Sequence, residues 1–403
     1  MKTEPIVSIV IPVYNGGNFL KYAIESALSQ TYKKCEVIVV NDGSTDQGVT
    51  EKIAKSYGTR IKYVKQDNGG TASALNHGIR IMNGDYFVWL SHDDVLRSYK
   101  AEAQLRAIRE SGNAQTIAQG NYSFINEATG GVVTTRFHQY YPMETINRGG
   151  FLFLWGETHF SNLLFSCEHF DRVGKFNEKA KTTQDQDMQF RLLRGQKTVF
   201  VSEPVSTFRL HGESESIKNK KLMFEENRRL YLYMLKCFQK SEIEGTATRA
   251  GVFYAHIASI VHSMGGGIEL PEIEDMLKNE VDHIANNEVS NLLIDMKERG
   301  IVIFGAGAYG RRVLYELESR GISPLAFVDN SSLKQGSRID GLLCYSVKDL
   351  FKMGCPYVII GQKSYADAWQ QLKAAGYKFL MLKDELDSIL WKISPIKVPK
   401  WEV

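Results

Sequence analysis

The first 110 residues alternate short β-branched runs with helical patterns, and this alternation restricts the fold more than any other feature of the sequence. Val7 to Pro12, Glu36 to Asn41, Ile61 to Lys65 and Asp85 to Leu90 read as strands; Asn18 to Ser29 and Gly48 to Tyr57 read as helices between them. Strands separated by helices in this rhythm require right-handed crossovers and a parallel sheet. Ligands of open α/β sheets bind beyond the carboxyl ends of the strands. The residues following each strand are therefore where function is expected.

At 403 residues the chain is too long for one ordinary domain. Residues 111–210 look mixed, with short strands near Thr116 and Val199 and a helix at Asp187 to Leu193. From Lys218 to Arg299 the pattern is helical, and a second α/β rhythm begins at Ile301. The expected division is 1–215, an α-helical connector over 216–299, and a small α/β domain over 300–403.

Composition narrows the function classes. A chain that is 43% hydrophobic and 24% charged has enough apolar material for sizeable cores. A formal charge of +3 from 49 basic and 46 acidic residues does not point to a nucleic-acid partner. Five scattered cysteines without a C-x-x-C pair suit a reducing cytoplasm. The apolar run near the N-terminus is too short, and interrupted by Pro12, to be a secretory segment, and no window is long enough to span a bilayer. Peripheral contact at the inner face of a membrane remains compatible with this, as does a homo-oligomer. Lys383, Lys392, Lys397 and Lys400, interleaved with Trp391 and Trp401, suit an anionic lipid surface, the alternative being a solvated terminus.

The candidate site residues follow the strands. Ile11-Pro12-Val13-Tyr14 ends the first with a ring able to stack on a base. Asn41-Asp42-Gly43-Ser44 ends the second with a carboxylate able to accept from a nucleobase N–H, although a capped turn would look the same. Asp67-Asn68-Gly69-Gly70 enters a helix whose first amides could approach anionic oxygens. Ser91-His92-Asp93-Asp94 puts adjacent carboxylates at a strand end, where a hard cation would relieve their repulsion. Gln184-Asp185-Gln186-Asp187 opens a helix with two acids.

Taken in order, these segments resemble the inverting family-2 glycosyltransferases of the GT-A fold, over roughly residues 5–212. The resemblance implies an α/β nucleotide-diphospho-sugar transferase domain that moves a sugar, with a UDP-sugar as the expected donor, to a saccharide or lipid-linked acceptor in surface polysaccharide or glycoconjugate assembly. It assigns uracil to Tyr14 and Asp42, ribose to Asp93 and Mn²⁺ or Mg²⁺ to Asp94, with a one-residue shift between those last two roles left open. Pro12, Asn68 and Gly70 complete the donor site. Asp185 matches the general base, and Arg209-Leu210-His211 matches a closing segment whose His reaches the metal or the diphosphate. Three departures are Ser91, where an Asp often stands, Leu75, where an Arg is common, and Gln184, where the base-bearing segment has a Glu. Trp155, Glu157 and His159 lie in the acceptor-facing region, with ordinary packing as the alternative; Asp187 either caps its helix or meets acceptor hydroxyls.

A second motif, Gly305-x-Gly307-x-x-Gly310, follows a strand, opens a helix and is followed nineteen residues later by Asp329. That context fits a dinucleotide fingerprint and would suit NAD. Residues 301–377 also resemble small Rossmann-like domains appended to sugar-modifying enzymes, and no Y-x-x-x-K pair follows the glycines. Nucleotide binding or a structural role is expected ahead of redox catalysis. An NAD-dependent oxidoreductase and a non-catalytic nucleotide-sugar scaffold are the alternative functions.

Overall fold

A computed structural model describes residues 4–140, 143–154, 158–211, 219–239, 242, 253, 257, 286–361, 366–383 and 385–386. The chain divides into two compact units, Met1–Cys237 and Phe238–Val403. Among the described residues no helix is long and apolar enough to cross a membrane.

In the first unit, β1 (Val7–Val13), β2 (Cys35–Asp42), β3 (Lys62–Gln66) and β4 (Tyr86–Trp89) run parallel in the order β3-β2-β1-β4. Every residue of β1 is buried, as a central strand covered on both faces requires. Val7, Ile9, Ile11 and Val13 pack with Leu20, Ala23, Ile24 and Ala27 of α1 (Leu20–Leu28). The opposite face meets α3 (Thr71–Ile81), which follows α2 (Val49–Lys55). A side chain at Gly78 of α3 would come within 2.4 Å of Val10, so the glycine permits that approach.

A second sheet, in the order β5-β9-β6-β7, joins β5 (Val95–Leu96), β6 (Ile117–Asn126), β7 (Val132–Thr134) and β9 (Thr198–Leu210). The short strands expected near Thr116 and Val199 are in fact ten and thirteen residues long. Their length is hidden by buried polar residues. Gln119, Asn121 and Ser123 are nearly inaccessible, and they bond to Thr198 Oγ1 (2.9 Å), the Ser202 carbonyl (2.6 Å) and Thr134 Oγ1 (2.8 Å). The strand expected at Asn162 to Phe165 is a 3₁₀ turn at Phe160–Asn162 followed by β8 (Phe165–Ser166), antiparallel to β4. Helices α4 (Lys100–Glu110), α5 (Gln184–Leu193) and α6 (Lys220–Cys237) complete the principal elements of this unit.

In the second unit, α7 (Asn286–Arg299) leads into β10 (Ile301–Phe304). The sheet order is β12-β13-β11-β10-β14-β15, comprising β11 (Ala326–Val328), β12 (Arg338–Ile339), β13 (Leu342–Tyr345), β14 (Tyr357–Ile360) and β15 (Leu380–Leu382). All its pairings are parallel except β12 with β13. Ile301 and Ile303 pack against Val313, Leu314 and Leu317 of α8 (Ala308–Glu318), whereas Val302 and Phe304 face Leu350 and Ala368 and Leu372 of α9 (Ala366–Ala374). The sheet is thus buried on both sides. Most of the connector expected over 216–299, and Lys392, Lys397, Lys400, Trp391 and Trp401, lie outside the described residues. Lys383 corrects the expectation of a lipid-facing tail: it is 4% exposed and paired with Glu316 at 2.9 Å. A lone charge there would be costly to bury, so its partner explains its place.

A Cβ at Gly310 would sit 1.7 Å from the Gly305 carbonyl oxygen, a contact with backbone that no rotamer relieves. Gly310→Ala is expected to destabilise the second unit by about 3 kcal/mol. Urea unfolding of the full chain measures this, and a midpoint equal to the parent's would contradict it.

Candidate active site

Three turns meet at the carboxyl edge of the parallel sheet. Beyond β1, Tyr14 is 44% exposed and its hydroxyl lies 3.4 Å from Thr45 Oγ1. Asn15, in the left-handed region at φ 51°, donates its amide to Ser44 Oγ and accepts from the Thr45 amide, which ties the first turn to the second. Asp42, 3% exposed at the end of β2, accepts from the amides of Gly69 (2.9 Å) and Gly70 (2.8 Å) and from Gln66 Nε2 (2.8 Å). Gly43 permits this closeness, because a side chain there would meet the Asn68 backbone at 2.7 Å.

The Gly69 and Gly70 amides, just ahead of α3, are thus taken by the Asp42 carboxylate. A carboxylate has about four acceptor positions, so roughly one remains on Asp42. Leu75 is fully buried in the α3 packing and turns away from this edge.

The acidic turn after β4 separates its two carboxylates. Asp93 Oδ2 lies 3.1 Å from His211 Nε2. Asp94 is 5% exposed and accepts from the Arg209 amide at 3.1 Å; burial, with repulsion from Asp93, pushes its carboxyl well above the usual range. The structure therefore pairs His211 with Asp93 and not with Asp94. Arg209 is held over the rings of Phe19 and Tyr22, at 5.3 and 5.2 Å, and Phe19 also contacts the His211 ring. His211 Nδ1 is buried without a hydrogen-bond partner.

Among the described residues no group of three or more His, Cys, Asp or Glu side chains gathers closely enough to hold a metal ion. Mg²⁺ is commonly held by one or two carboxylates plus substrate phosphates, and imidazole suits transition ions such as Mn²⁺. The oxygen and nitrogen donors of Asp93 and His211 fit a cation shared with a diphosphate better than a resident one.

His159 is exposed, with its ring stacked on Phe208 at 3.7 Å. Trp155 and Glu157 lie outside the described residues.

Asp185 occupies the first turn of α5 and is half-buried. Burial raises its pKa to about 6, although its own amide and that of Gln186 favour the anion. Asp187 is used differently: it pairs with Arg191 at 2.5 Å, and that guanidinium donates also to the Val173 and Lys175 carbonyls. Its carboxylate is thus engaged by a neighbour one helical turn away. The approach to α5 is tied to the donor-side helix, since Asn76 of α3 bonds the Phe176 amide and carbonyl and Glu178 Oε1.

In the second unit, Asp329 Oδ2 accepts from the Ala306 amide and Lys334 Nζ, at 2.8 and 2.9 Å, and Oδ1 accepts from the Ser331 amide. The acid of the fingerprint therefore binds the glycine turn itself. Gly310 serves close helix packing, Gly305 takes φ 102°, and Gly307 faces open space.

Residues 8–174 match the family described as Glycosyl transferase family 2. An uncharacterized glycosyltransferase of Rickettsia typhi is 39% identical over 240 residues, covering 60% of this chain and 74% of that protein. The chain belongs to glycosyl transferase family 2. Another uncharacterized glycosyltransferase, from Rickettsia conorii, is 44% identical over 53% of this chain and 35% of its own length. Several curated relatives of this family-2 chain are much longer; it spans 36%, 35% and 41% of three rickettsial ones. The structure of S. aureus TarS 1-349 in complex with UDP-GlcNAc matches with a TM-score of 0.53 at 17% identity, over 79% of this chain and 92% of that one, a likeness of fold. Residues 296–379 match a second family, described as C2185-like, N-terminal.

Glu226 and Gln66 were not anticipated from the sequence: Gln66 ends β3 beside the Asp67–Gly70 turn, whereas Glu226 sits in a helix without a motif.

Proposed function

We propose that this family-2 chain is an inverting glycosyltransferase that moves a hexosyl group from a UDP-sugar to a saccharide or lipid-linked saccharide in surface polysaccharide or glycoconjugate assembly. The observation that carries the reading is Asp185, an acid raised to about 6 on a helix whose approach is bonded to the donor-side helix. Above that pH it is a carboxylate able to accept a proton.

In this reading Tyr14 stacks on uracil and Asp42 uses its remaining acceptor position for the base N–H. Asp93 and His211 hold Mn²⁺ or Mg²⁺ together with the diphosphate, while Asp94 fixes the end of β9 through the Arg209 amide. When bound, the cation supplies charge neutralisation to the leaving diphosphate. Asp185 takes the proton of the acceptor hydroxyl as that oxygen bonds the anomeric carbon from the face opposite the nucleotide. The bond from that carbon to UDP breaks and its electron pair leaves with the diphosphate. His159, exposed with its ring stacked on Phe208, offers an acceptor sugar a hydrogen-bonding ring edge.

Thermal unfolding with a panel of nucleotides and nucleotide sugars, with and without MnCl₂, tests the donor assignment. A ligand at 100 times its dissociation constant stabilises by about 2.7 kcal/mol. UDP and a UDP-sugar should raise the midpoint more in Mn²⁺ than in EDTA, and ADP should not. Equal shifts for ADP and UDP would refute the uracil pocket.

A further inference from the structure

We propose that Glu226 is a positioning residue for Asp185: it clamps the strap at residues 181–183 from helix α6 and so fixes the start of α5, whose first turn carries Asp185. The proposal rests on the reading of Asp185 given above, and α6 lies beyond the stretch that matches the family.

One carboxylate gathers the whole strap. Glu226 Oε1 accepts from the Lys181 amide at 3.0 Å, and Oε2 accepts from the Thr182 amide (2.8 Å), Thr182 Oγ1 (2.7 Å) and Thr183 Oγ1 (3.3 Å). These donors hold the Glu226 carboxyl below its usual range although burial acts against them. Thr183 directly precedes α5, where a hydroxyl ordinarily accepts from the second or third amide of the helix. Here it makes no such cap. Its hydroxyl is turned to Glu226, so the residue ahead of α5 is held from α6, two positions before Asp185.

Other groups facing Asp185 do not explain this arrangement. From α6 it is Tyr231, buried and pushed up to about 12, hence neutral over the working range. On its own helix, Asp187 and Arg191 neutralise one another.

Removing the clamp releases the strap two residues ahead of Asp185 and lets the first turn of α5 shift. The full-length chain tests this with UDP-GlcNAc in MnCl₂ as the probe, read as UDP release, and with hydrogen exchange on the substrate-free protein. Glu226→Ala is expected to lower kcat by roughly 10- to 100-fold, with donor KM nearly unchanged, because the base is misplaced and the donor site is not. The Lys181 and Thr182 amides should lose exchange protection. Glu226→Gln, which keeps one acceptor oxygen, should show the same changes at smaller amplitude. Unchanged protection at 181 and 182, or a loss that appears in KM, would each overturn the clamp. An Asp185→Asn chain as active as the parent, or a parent that releases UDP from no nucleotide sugar, would instead overturn the proposed function; the exchange measurement still decides whether the clamp exists.

Discussion

Asp185→Asn is expected to lower turnover by roughly 10² to 10⁴ while leaving donor affinity nearly unchanged. The substitution keeps the size of the side chain and a carbonyl oxygen for the first-turn amides but cannot accept a proton. The parent should also lose activity as pH falls through about 6, because protonation of Asp185 removes the base. The group acts as a base only when ionised, so its activity is present above its pKa and lost below it. In the Asn variant the acidic limb should disappear along with most of the rate. Steady-state UDP release across pH 5 to 8, with calorimetric titration of UDP, separates these effects. A dead Asp187→Asn beside an active Asp185→Asn would move the base to the other acid, despite the ion pair that holds Asp187 to Arg191.

The second large effect is expected at Asp93. Asp93→Ala should cost several kcal/mol of transition-state stabilisation, roughly 10² to 10⁴ in kcat/KM, and abolish the gain in UDP affinity caused by Mn²⁺. His211→Ala should act in the same direction, since its ring faces the same carboxylate at 3.1 Å. Asp94→Asn provides the contrast. It keeps an acceptor for the Arg209 amide and removes a carboxyl already held towards its neutral form, so the Mn²⁺ response should persist. Full turnover by the parent in excess EDTA, or loss of the Mn²⁺ response in Asp94→Asn alone, would overturn the assignment to Asp93.

Both experiments bear on residues that the sequence singles out and the fold distinguishes. Asp93 and Asp94 are adjacent at one strand end, and a string of residues gives no reason to prefer either. Their environments differ because β9 returns to that turn from more than a hundred residues away, presenting an amide to one acid and an imidazole to the other. Asp185 and Asp187 are likewise two positions apart. One, in the first turn of α5, has its pKa raised by burial, and the other meets Arg191 on the next turn.

The parallel sheet was legible from the sequence because local pattern reports it. A strand buried on both faces reads as a β-branched run, and the helices between such runs leave only crossover connections. The turns at Tyr14, Asp42, Asn68 and Asp93 follow, since topology brings the ends of parallel strands to one edge. Local pattern did not reveal the polar contacts that cross the fold. Gln119, Asn121 and Ser123 sit in a long strand that polar residues disguise, and their partners lie on other strands. Asp329 reads as a ribose ligand by spacing but bonds its own glycine turn, and Lys383 reads as a surface cation but is buried with Glu316. The sequence by itself determined the sheet, its functional edge and the short set of acids able to work there. Only the tertiary structure decided which acid meets His211, which pairs with Arg191, and that Glu226 holds the strap. Hydrophobic periodicity is a property of neighbouring residues, whereas the partner of a buried polar group is chosen by chain segments that become neighbours only on folding.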